Sequence, residues 1–310
     1  MTANNLFKSS NGETMISYVE YMPENNLKAI IQVSHGIGQH KENYEQFSKE
    51  MNKYGIGVCI MDTLGHGKSI SSNFRMYFGP KGSWNYLVHD MLTLNKILAE
   101  KYSVDIIVMG FSMGSFVTRT AMLEGGFTRV DGFILAGTGT LDKVSCSLVN
   151  LVINSEIKKN GESNESDKIN EMAFGNYNKY FKPAETGFEW LFKNPEAVKE
   201  YMNDDAAKKY ITPGMFRELL GAMVLTSSKK NILKSAKNYA EKPILIISGS
   251  EDPVGGFGKN VIRLSNMFKK AGFGNMKTMV YKDSRHDIFH DNDKESVVKD
   301  LVEWISIKEI

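Results

Sequence analysis

Three side chains that could together perform acyl transfer lie far apart in this sequence. Ser112 lies in GFSMGS, Asp252 in GSEDP and His286 in DSRHD, so the chain order is serine, acid, histidine. A serine hydroxyl is a weak nucleophile unless a neighbouring base takes its proton. A histidine that is oriented by an acid is such a base. The three residues therefore predict transfer of an acyl group to serine and then to water.

The spacing of Gly110, Ser112 and Gly114 has a mechanical explanation. A strand that turns sharply into a helix forces the middle residue into a strained backbone conformation and lifts its side chain clear of the sheet. We expect the residues two before and two after it to be pressed against each other's backbone, which requires glycine. The motif alone is common, but the strand-like DIIVMG before it and the helical FVTRTAMLE after it make it more specific.

Two backbone N–H groups are candidates to stabilise the oxyanion that such a reaction forms. The N–H of Met113, at the start of the helix that follows Ser112, would point at an oxyanion forming there. A second donor is expected in the loop HGIG at residues 35–38, where the N–H of Ile37 is our candidate. The glycines on either side of Ile37 would let this loop approach closely.

Other titratable residues provide alternatives at two of these positions. Glu251 is the alternative to Asp252, which we prefer because Pro253 shapes a turn that can hold its carboxylate. His290 is the alternative to His286, but it lies further along, toward the last helix. Structural roles are expected for the remaining histidines, His35, His40, His66 and His89. No chelating cluster is evident, so we expect neither a metal ion nor a cofactor.

Short apolar runs and helical patterns alternate along the chain and must position these residues. The strand-like runs are 29–34, 56–62, 105–110, 132–137, 243–248 and 277–281, and the clearest helical patterns are 44–55, 84–102 and 294–306. Strands this continuously apolar are covered on both faces. The alternation predicts an α/β fold with a mostly parallel central sheet and helices on both faces. Ligands of such sheets bind beyond the carboxyl ends of the strands, where the candidate residues lie.

One long interval breaks this alternation, because it contains short amphipathic helical patterns and no strand-like run. It predicts a helical cap over residues 141–239, seated on a core of residues 1–140 and 240–310. Phe188, Trp190, Leu191 and Phe192 give this cap an apolar surface that faces the site or the core. Each acyl methylene buried there would gain about 0.8 kcal/mol, so a tunnel that holds about ten of them would gain on the order of 8 kcal/mol. That sum is enough to select long acyl chains over acetate.

Composition excludes several function classes. The 310 residues suffice for one large α/β domain or two small ones, and a net charge of +2 without long charged blocks argues against nucleic-acid binding. No stretch approaches the roughly 20 apolar residues of a membrane span, and the polar N-terminal segment does not resemble a signal peptide. Cys59 and Cys146 suggest reduced thiols. We therefore expect a cytoplasmic protein.

The chain resembles the α/β-hydrolases, and more narrowly the monoacylglycerol lipase and lysophospholipase group, which is related to the S33 serine aminopeptidase-type hydrolases. The resemblance lies in VSHGIGQHKENYEQFSKEM, GIGVCIMDTLGHGKS, GFSMGS, SGSEDPVGGFGK and SRHDIFHD, and it extends from about residue 10 to 307. It implies that the cap is inserted between the sixth and seventh strands. It also implies a triad and an oxyanion hole made of the residues named above: Ser112, Asp252 and His286, with the N–H groups of Ile37 and Met113.

Three residues depart from the motifs of that group. Gln39 replaces the acid of H-G-x-G-E-H, while Phe111 and Ser115 replace the histidine and the last glycine of G-H-S-M-G-G. None of these changes removes a catalytic group. Phe111 makes the turn around the serine more apolar than is usual in the group.

The triad and the apolar cap together predict a serine hydrolase that cleaves carboxylic esters of single-chain lipids, such as monoacylglycerols or lysophospholipids. The same groups could cleave an amide, a thioester or a peptide N-terminus. A peptidase would need an acid for the substrate amine, which Glu185 or Glu189 could provide. A ligand-binding module without turnover is disfavoured, because such modules often lack a triad member. The expected partner is a lipid ester, with transient contact between cap and membrane or micelle as a further hypothesis.

Overall fold

A computed structural model describes residues 1–70, 75–141, 143–207 and 210–306 of the chain, with the backbone alone at 143–145. Positions 142, 208 and 209 of the predicted cap, and 71–74 and 307–310 of the predicted core, lie outside the described residues. Eight strands of the described part form one sheet. They are β1 Thr2–Lys8, β2 Met15–Tyr21, β3 Ala29–Ser34, β4 Ile56–Met61, β5 Asp105–Phe111, β6 Gly132–Ala136, β7 Ile244–Gly249 and β8 Met276–Tyr281.

The strand order is β1-β2-β4-β3-β5-β6-β7-β8, and the six strands β3 to β8 run parallel to one another. These six strands are the six predicted from apolar runs, each within one residue at either end. The prediction of a mostly parallel sheet is thereby confirmed. The antiparallel strands β1 and β2 were not predicted. In β1 only Phe7 is buried, so this edge strand carries no apolar run that the sequence could reveal.

Ten α-helices accompany the sheet in the described residues. They are α1 Glu45–Asn52, α2 Trp84–Lys101, α3 Met113–Glu124, α4 Lys143–Asn160, α5 Asp167–Phe174, α6 Pro195–Asn203, α7 Pro213–Thr226, α8 Lys229–Tyr239, α9 Lys259–Lys270 and α10 Lys294–Ser306. Short 3₁₀ helices occupy Lys41–Tyr44 and Tyr177–Tyr180. The three helices predicted from spacing correspond to α1, α2 and α10, and only the start of the first is 3₁₀ rather than α.

Both faces of the sheet are covered by apolar helix faces. Val108 of β5 packs in a cluster with residues of α2, α3, α8 and α9, while Ile107 beside it packs with residues of α1 and α10. Successive side chains of a strand point to opposite faces, so a strand buried on both sides needs an uninterrupted apolar run. This explains why the central strands could be read so closely from the sequence.

The chain between β6 and β7, residues 137–243, is called the inserted segment below. Its described residues contain the helices α4 to α8 and no strand, which confirms a helical insertion between the sixth and seventh strands. Glu218 of α7 ties it to the core, since its carboxylate accepts hydrogen bonds from the N–H groups of Gly82 and Trp84 at the start of α2. No helix in the described part of the chain is long and apolar enough to cross a membrane.

Candidate active site

Ser112 lies at a sharp turn between β5 and α3, with φ of 50° and ψ of −117°. Such a positive φ is strained for a residue with a side chain. A Cβ atom on Gly110 would lie 2.3 Å from the carbonyl oxygen of Gly114, and one on Gly114 would lie 2.0 Å from that of Ser34. These contacts confirm that both positions require glycine. They also show that Gly114 is pressed mainly against β3, which the sequence did not indicate.

The structure brings Ser112, Asp252 and His286 together. Nε2 of His286 lies 2.9 Å from Oγ of Ser112, and Nδ1 of His286 lies 2.9 Å from Oδ1 of Asp252. The Nδ1–H direction departs from the line to Oδ1, so this second contact is an electrostatic pairing rather than a linear hydrogen bond. The histidine ring therefore bridges the hydroxyl and the carboxylate, as proton transfer from serine requires.

Asp252 is fully buried, and its carboxylate is held by two hydrogen bonds. Oδ2 accepts one from the Ser248 hydroxyl at 2.9 Å, and Oδ1 accepts one from the backbone N–H of Val254 at 2.8 Å. These donors offset part of the cost of burying a charge. Glu251, the alternative acid, is half-buried, and its carboxylate lies 3.8 Å from Nε of Arg285, not beside His286.

His290, the alternative base, has both ring nitrogens engaged away from the serine. Its Nδ1 lies 2.7 Å from Oδ1 of Asp287, and its Nε2 lies 2.9 Å from the carbonyl oxygen of Asn43. Burial alone would lower the pKa of His290, but the Asp287 carboxylate outweighs this and raises it. Of the two histidines, only His286 has a ring nitrogen directed at the Ser112 hydroxyl.

The imidazole of His286 is packed between two aromatic rings. Phe111 lies on the core side, with ring centroids 5.0 Å apart, and Trp190 of the inserted segment lies 5.1 Å away. The backbone N–H of His286 also donates to the carbonyl of Trp190 at 3.3 Å. The inserted segment therefore forms part of the wall around this ring, a role that the sequence did not reveal for Trp190.

The two candidate oxyanion donors lie beside Ser112 in the lining of one cavity. Met113 is the first residue of α3, and Ile37 lies in the loop after β3. Among the described residues, neither of their backbone N–H groups donates a hydrogen bond. Both groups remain available to a bound substrate oxygen.

Gln39 connects the loop after β3 to the loop that carries His286. Its Oε1 accepts hydrogen bonds from the N–H of Gly36 at 2.9 Å and the hydroxyl of Tyr44 at 3.1 Å. Its Nε2 donates to Oδ2 of Asp287 at 2.7 Å. A neutral amide can accept and donate at once, which a carboxylate in this place cannot do.

Two histidines after β3 have pKa values shifted in opposite directions. Nε2 of His35 accepts the N–H of Thr63 at 3.0 Å, so the proton lies on Nδ1, and burial lowers the pKa of His35 to about 4. Burial would also lower the pKa of His40, but hydrogen bonds of 2.8 Å to Glu42 and to Asp204 of the inserted segment raise it.

The other two histidines lie away from Ser112. His66 is buried against His35 and Phe78, and burial lowers its pKa to about 3. His89 is exposed on α2, and its Nε2 lies 3.5 Å from a carboxylate oxygen of Glu124. Both positions agree with the structural roles expected from the sequence.

Ser112 and His286 open into a cavity of about 590 Å³ between the sheet and the inserted segment. Most of its lining is apolar or aromatic: Ile37, Phe111, Met113, Phe116, Ala173, Phe174, Tyr177, Phe188, Trp190, Leu191, Phe192, Tyr201, Tyr210, Ile211, Phe216, Leu219, Met223 and Val254. The apolar surface predicted at 188–192 thus faces this cavity. Asp167 and Glu171 of α5 add two exposed carboxylates to the lining.

Neither carboxylate suggested as an anchor for a substrate amine lines the cavity. Glu189 accepts hydrogen bonds from the N–H groups of Glu185 and Thr186, at 2.9 and 2.7 Å, and from the side chain of Asn178. Its carboxylate is therefore occupied in closing a local turn. Glu185 is exposed. The sequence could not distinguish these local bonds from a free acid.

Several known lipases are similar to this chain in sequence. The rat monoglyceride lipase is 26% identical over 147 residues, which cover 43% of this chain and 45% of that enzyme. A monoglyceride lipase homolog of monkeypox virus is 21% identical and covers 98% of both chains. A monoacylglycerol lipase of Mycolicibacterium smegmatis is 21% identical, covering 95% of this chain and 94% of its own.

Solved structures match the fold over nearly the whole chain. A thermostable carboxyl esterase from Bacillus coagulans gives a TM-score of 0.86 at 24% identity, covering 98% of both chains. A monoglyceride lipase from Saccharomyces cerevisiae, solved with a substrate analog, gives 0.73 at 14% identity, covering 99% of this chain and 97% of its own. The family model described as serine aminopeptidase, S33, matches residues 25–293. The chain therefore belongs to the S33 serine aminopeptidase family of α/β-hydrolases, and it is a hydrolase.

Proposed function

We propose that this hydrolase cleaves the carboxylic esters of single-chain lipids through an acyl-enzyme, with monoacylglycerols or lysophospholipids as substrates. One observation carries the proposal: the hydroxyl of Ser112, 2.9 Å from Nε2 of His286, opens into an apolar cavity of about 590 Å³. A nucleophile with its base supplies the chemistry, and the cavity supplies room for an acyl chain. Relatives named as monoglyceride lipases support the same substrate class.

In the proposed mechanism, Nε2 of His286 takes the hydroxyl proton while Oγ of Ser112 attacks the ester carbonyl carbon. The carbonyl oxygen becomes an oxyanion, which the N–H groups of Met113 and Ile37 stabilise. The imidazolium returns its proton to the leaving alcohol, so glycerol departs and an acyl-serine remains. Water then attacks the acyl-serine by the same steps, releasing the fatty acid and restoring the hydroxyl.

Asp252 would act on the imidazolium rather than on the substrate. Its buried carboxylate lies 2.9 Å from Nδ1 of His286 and favours the positive charge that forms during each step. The hydrogen bonds from Ser248 and Val254 hold the carboxylate in place. In this mechanism Glu251, which lies near Arg285, has no catalytic role.

The charges around the cavity favour a neutral head group. Within the described residues, its lining contains Asp167, Glu171 and Asp287 but no lysine or arginine. The phosphodiester anion of a lysophospholipid would meet these carboxylates with no lysine or arginine in the described lining to pair with. We therefore place monoacylglycerols ahead of lysophospholipids in the proposal.

We also propose that the inserted segment, acting as the cap, touches the lipid surface that carries the substrate. Leu148 and Leu151 on α4 are 75% and 66% exposed, and Lys158 and Lys159 follow on the same helix. Large exposed apolar side chains next to lysines are typical of helices that bind anionic lipid interfaces. Replacing both leucines by serine should weaken sedimentation with phosphatidylglycerol vesicles, while hydrolysis of a water-soluble ester stays unchanged. A cytoplasmic location stays a prediction.

A substrate panel tests the main proposal. Monoacylglycerols of 8 to 20 carbons, lysophosphatidylcholine and p-nitrophenyl esters would be compared, with the Ser112→Ala variant as control. We expect turnover of the esters, best with monoacylglycerols, and a loss on the order of 10⁶ in kcat for the variant. Absence of turnover with every ester, or substantial activity in the alanine variant, would overturn the proposal.

A peptidase is the second candidate, supported by the exposed carboxylates of Asp167 and Glu171 in the cavity lining and by the name of the family. A substrate ammonium could pair with either group. Aminoacyl p-nitroanilides distinguish the two candidates. Turnover of these amides that is lost in the Asp167→Asn, Glu171→Gln double variant would favour the peptidase.

A further inference from the structure

Residues 189–194 of the inserted segment run along the loop that carries His286, and several hydrogen bonds join the two. The N–H of Asp287 donates to the carbonyl of Leu191 at 2.9 Å, alongside the bond from His286 to Trp190. Further on, the N–H groups of Lys193 and Asn194 donate to the carboxylate of Asp291 at 2.5 and 2.9 Å. Residues 189–194 and 283–291 therefore form one joined structure.

Arg285 occupies the centre of this joined structure, directly before His286. Its Nη1 donates to the carbonyl oxygens of Glu189 at 2.7 Å and of Phe192 at 2.8 Å. Its guanidinium carbon lies 4.4 Å from the centre of the Phe181 ring, also in the inserted segment. A planar guanidinium with several fixed donors suits such a junction better than a flexible ammonium.

The two carbonyls that Arg285 binds bracket Trp190 and Leu191 in the chain. The ring of Trp190 covers His286, so the position of that ring depends on the backbone that Arg285 holds. Without the arginine, Trp190 would keep one backbone hydrogen bond to this loop within the described residues, the 3.3 Å bond that its carbonyl accepts from the N–H of His286. A displaced tryptophan would leave the imidazole supported on the Phe111 side alone.

We propose that Arg285 is a positioning residue, which fastens the inserted segment to the His286 loop and so holds the imidazole in line with Ser112. The inference rests on the proposed function, because the orientation of His286 matters only if it is the base. Arg285 does not line the cavity, so its effect should reach the reaction through His286 and not through the acyl chain. A misplacement of about 1 Å can cost on the order of 100-fold in rate.

The test compares Arg285→Met, Arg285→Lys and Arg217→Met. Arg217 is a matched control, since its side chain is 13% exposed against 18% for Arg285, and its ion pairs with Glu162 and Glu218 lie within the inserted segment. It does not line the cavity, and it lies outside residues 189–194 and 283–291. Each variant is assayed for kcat and KM on p-nitrophenyl acetate and decanoate, and for its rate of labelling by a fluorophosphonate.

For Arg285→Met we expect kcat and the labelling rate to fall about 10- to 100-fold, equally for acetate and decanoate, with KM little changed. Arg285→Lys should recover part of the loss, because an ammonium can still donate to one carbonyl. Arg217→Met should keep the wild-type labelling rate. A role limited to packing would instead raise KM for decanoate and leave acetate unaffected.

Labelling of Arg285→Met at the wild-type rate would overturn the inference. If that variant does not fold, Arg285→Lys decides: we expect a several-fold loss, and a wild-type labelling rate would overturn the inference. If the wild-type protein hydrolyses no ester but reacts with the fluorophosphonate, the proposed lipid substrate fails. The labelling rates then still test the role of Arg285.

Discussion

Gln39 and Asp287, which are 248 positions apart in the chain, are joined by a hydrogen bond of 2.7 Å between two buried side chains. The bond ties the loop with the proposed oxyanion donor Ile37 to the residue that follows His286. It depends on a neutral amide at position 39, because Asp287 already supplies the carboxylate. Two sides of the proposed active site are thus fixed to each other independently of the substrate.

The Gln39→Glu variant should destabilise the protein by about 2–3 kcal/mol at pH 7, because two buried carboxylates would then face each other. Urea unfolding would measure the loss. It should shrink near pH 5, where one of the two carboxyl groups can hold a proton. The exposed Gln46→Glu change on α1 is the control, expected within about 0.5 kcal/mol. Unfolding of Gln39→Glu at the wild-type urea concentration would contradict the bond.

Replacing Asp252 by asparagine should lower kcat for a p-nitrophenyl ester by about 10⁴, which is the loss seen when the orienting carboxylate of a serine protease triad is replaced by an amide. KM should change little, since Asp252 does not line the cavity. Glu251→Gln, one position earlier, should cost far less. Steady-state kinetics of both variants provide the measurement, and a larger loss for Glu251→Gln would exchange the two assignments.

Filling the cavity should shorten the preferred acyl chain. Leu219 of α7 lines the cavity, so Leu219→Trp should reduce kcat/KM for the longest p-nitrophenyl esters and leave the acetate nearly unchanged. Leu225→Trp on the same helix is the control, because Leu225 is exposed and does not line the cavity. An unchanged chain-length profile for Leu219→Trp would show that the acyl chain binds elsewhere.

Gly114→Ala should destabilise the fold by about 3 kcal/mol or more, because the new Cβ would lie 2.0 Å from the backbone oxygen of Ser34. Gly221→Ala in α7 is the opposite case. Its Cβ would meet nothing within 4 Å, so better helix propensity should stabilise the protein by up to about 1 kcal/mol. Thermal unfolding of both variants would show opposite shifts in Tm. Equal shifts would contradict the close packing at the turn.

The two histidines after β3 should make stability respond to pH in opposite directions. His35 has a pKa lowered to about 4, so the unfolded chain binds the proton more readily. Its contribution to stability therefore falls as pH drops from about 6.5 to 4, by roughly 3 kcal/mol in all. His35→Gln, whose side-chain oxygen can accept the N–H of Thr63, should remove the His35 share of this dependence in urea unfolding at pH 4.5 and 7.5. The share that comes from buried His66, whose pKa is lowered to about 3, should remain.

His40 has a raised pKa, so its pairing with Asp204 and Glu42 contributes fully below about pH 6.5 and is lost as pH rises through the raised value. Because Glu42 is exposed, the contribution should be about 1 kcal/mol at most. His40→Gln should therefore lower stability at pH 6 more than at pH 9. A larger loss at pH 9 would contradict the pairing.

Local sequence patterns predicted the helices that bury one face and the strands that are buried on both faces. The parallel strands, α2 and α10 could be read from apolar spacing, and the three proposed catalytic residues from their places at strand ends. β1 escaped detection because one buried side chain makes no pattern. The roles of Gln39, Trp190 and Arg285 escaped because each depends on partners that lie far away in the sequence. Single-sequence spacing contains no information about such pairs.

The pairing of β6 with β7 has a consequence for how this hydrolase could change its substrate. These strands are parallel, hydrogen-bonded neighbours, with Phe133 opposite Ile244 and Ala136 opposite Ile247. The inserted segment therefore leaves the sheet at the carboxyl end of β6 and rejoins it at the amino end of β7, roughly 11 Å away. A cassette anchored in this way can be lengthened, trimmed or exchanged without shifting the register of any strand. Evolution, or a graft from another hydrolase, can thus replace the segment that covers the cavity above Ser112. The replacement must again present backbone carbonyls to Arg285.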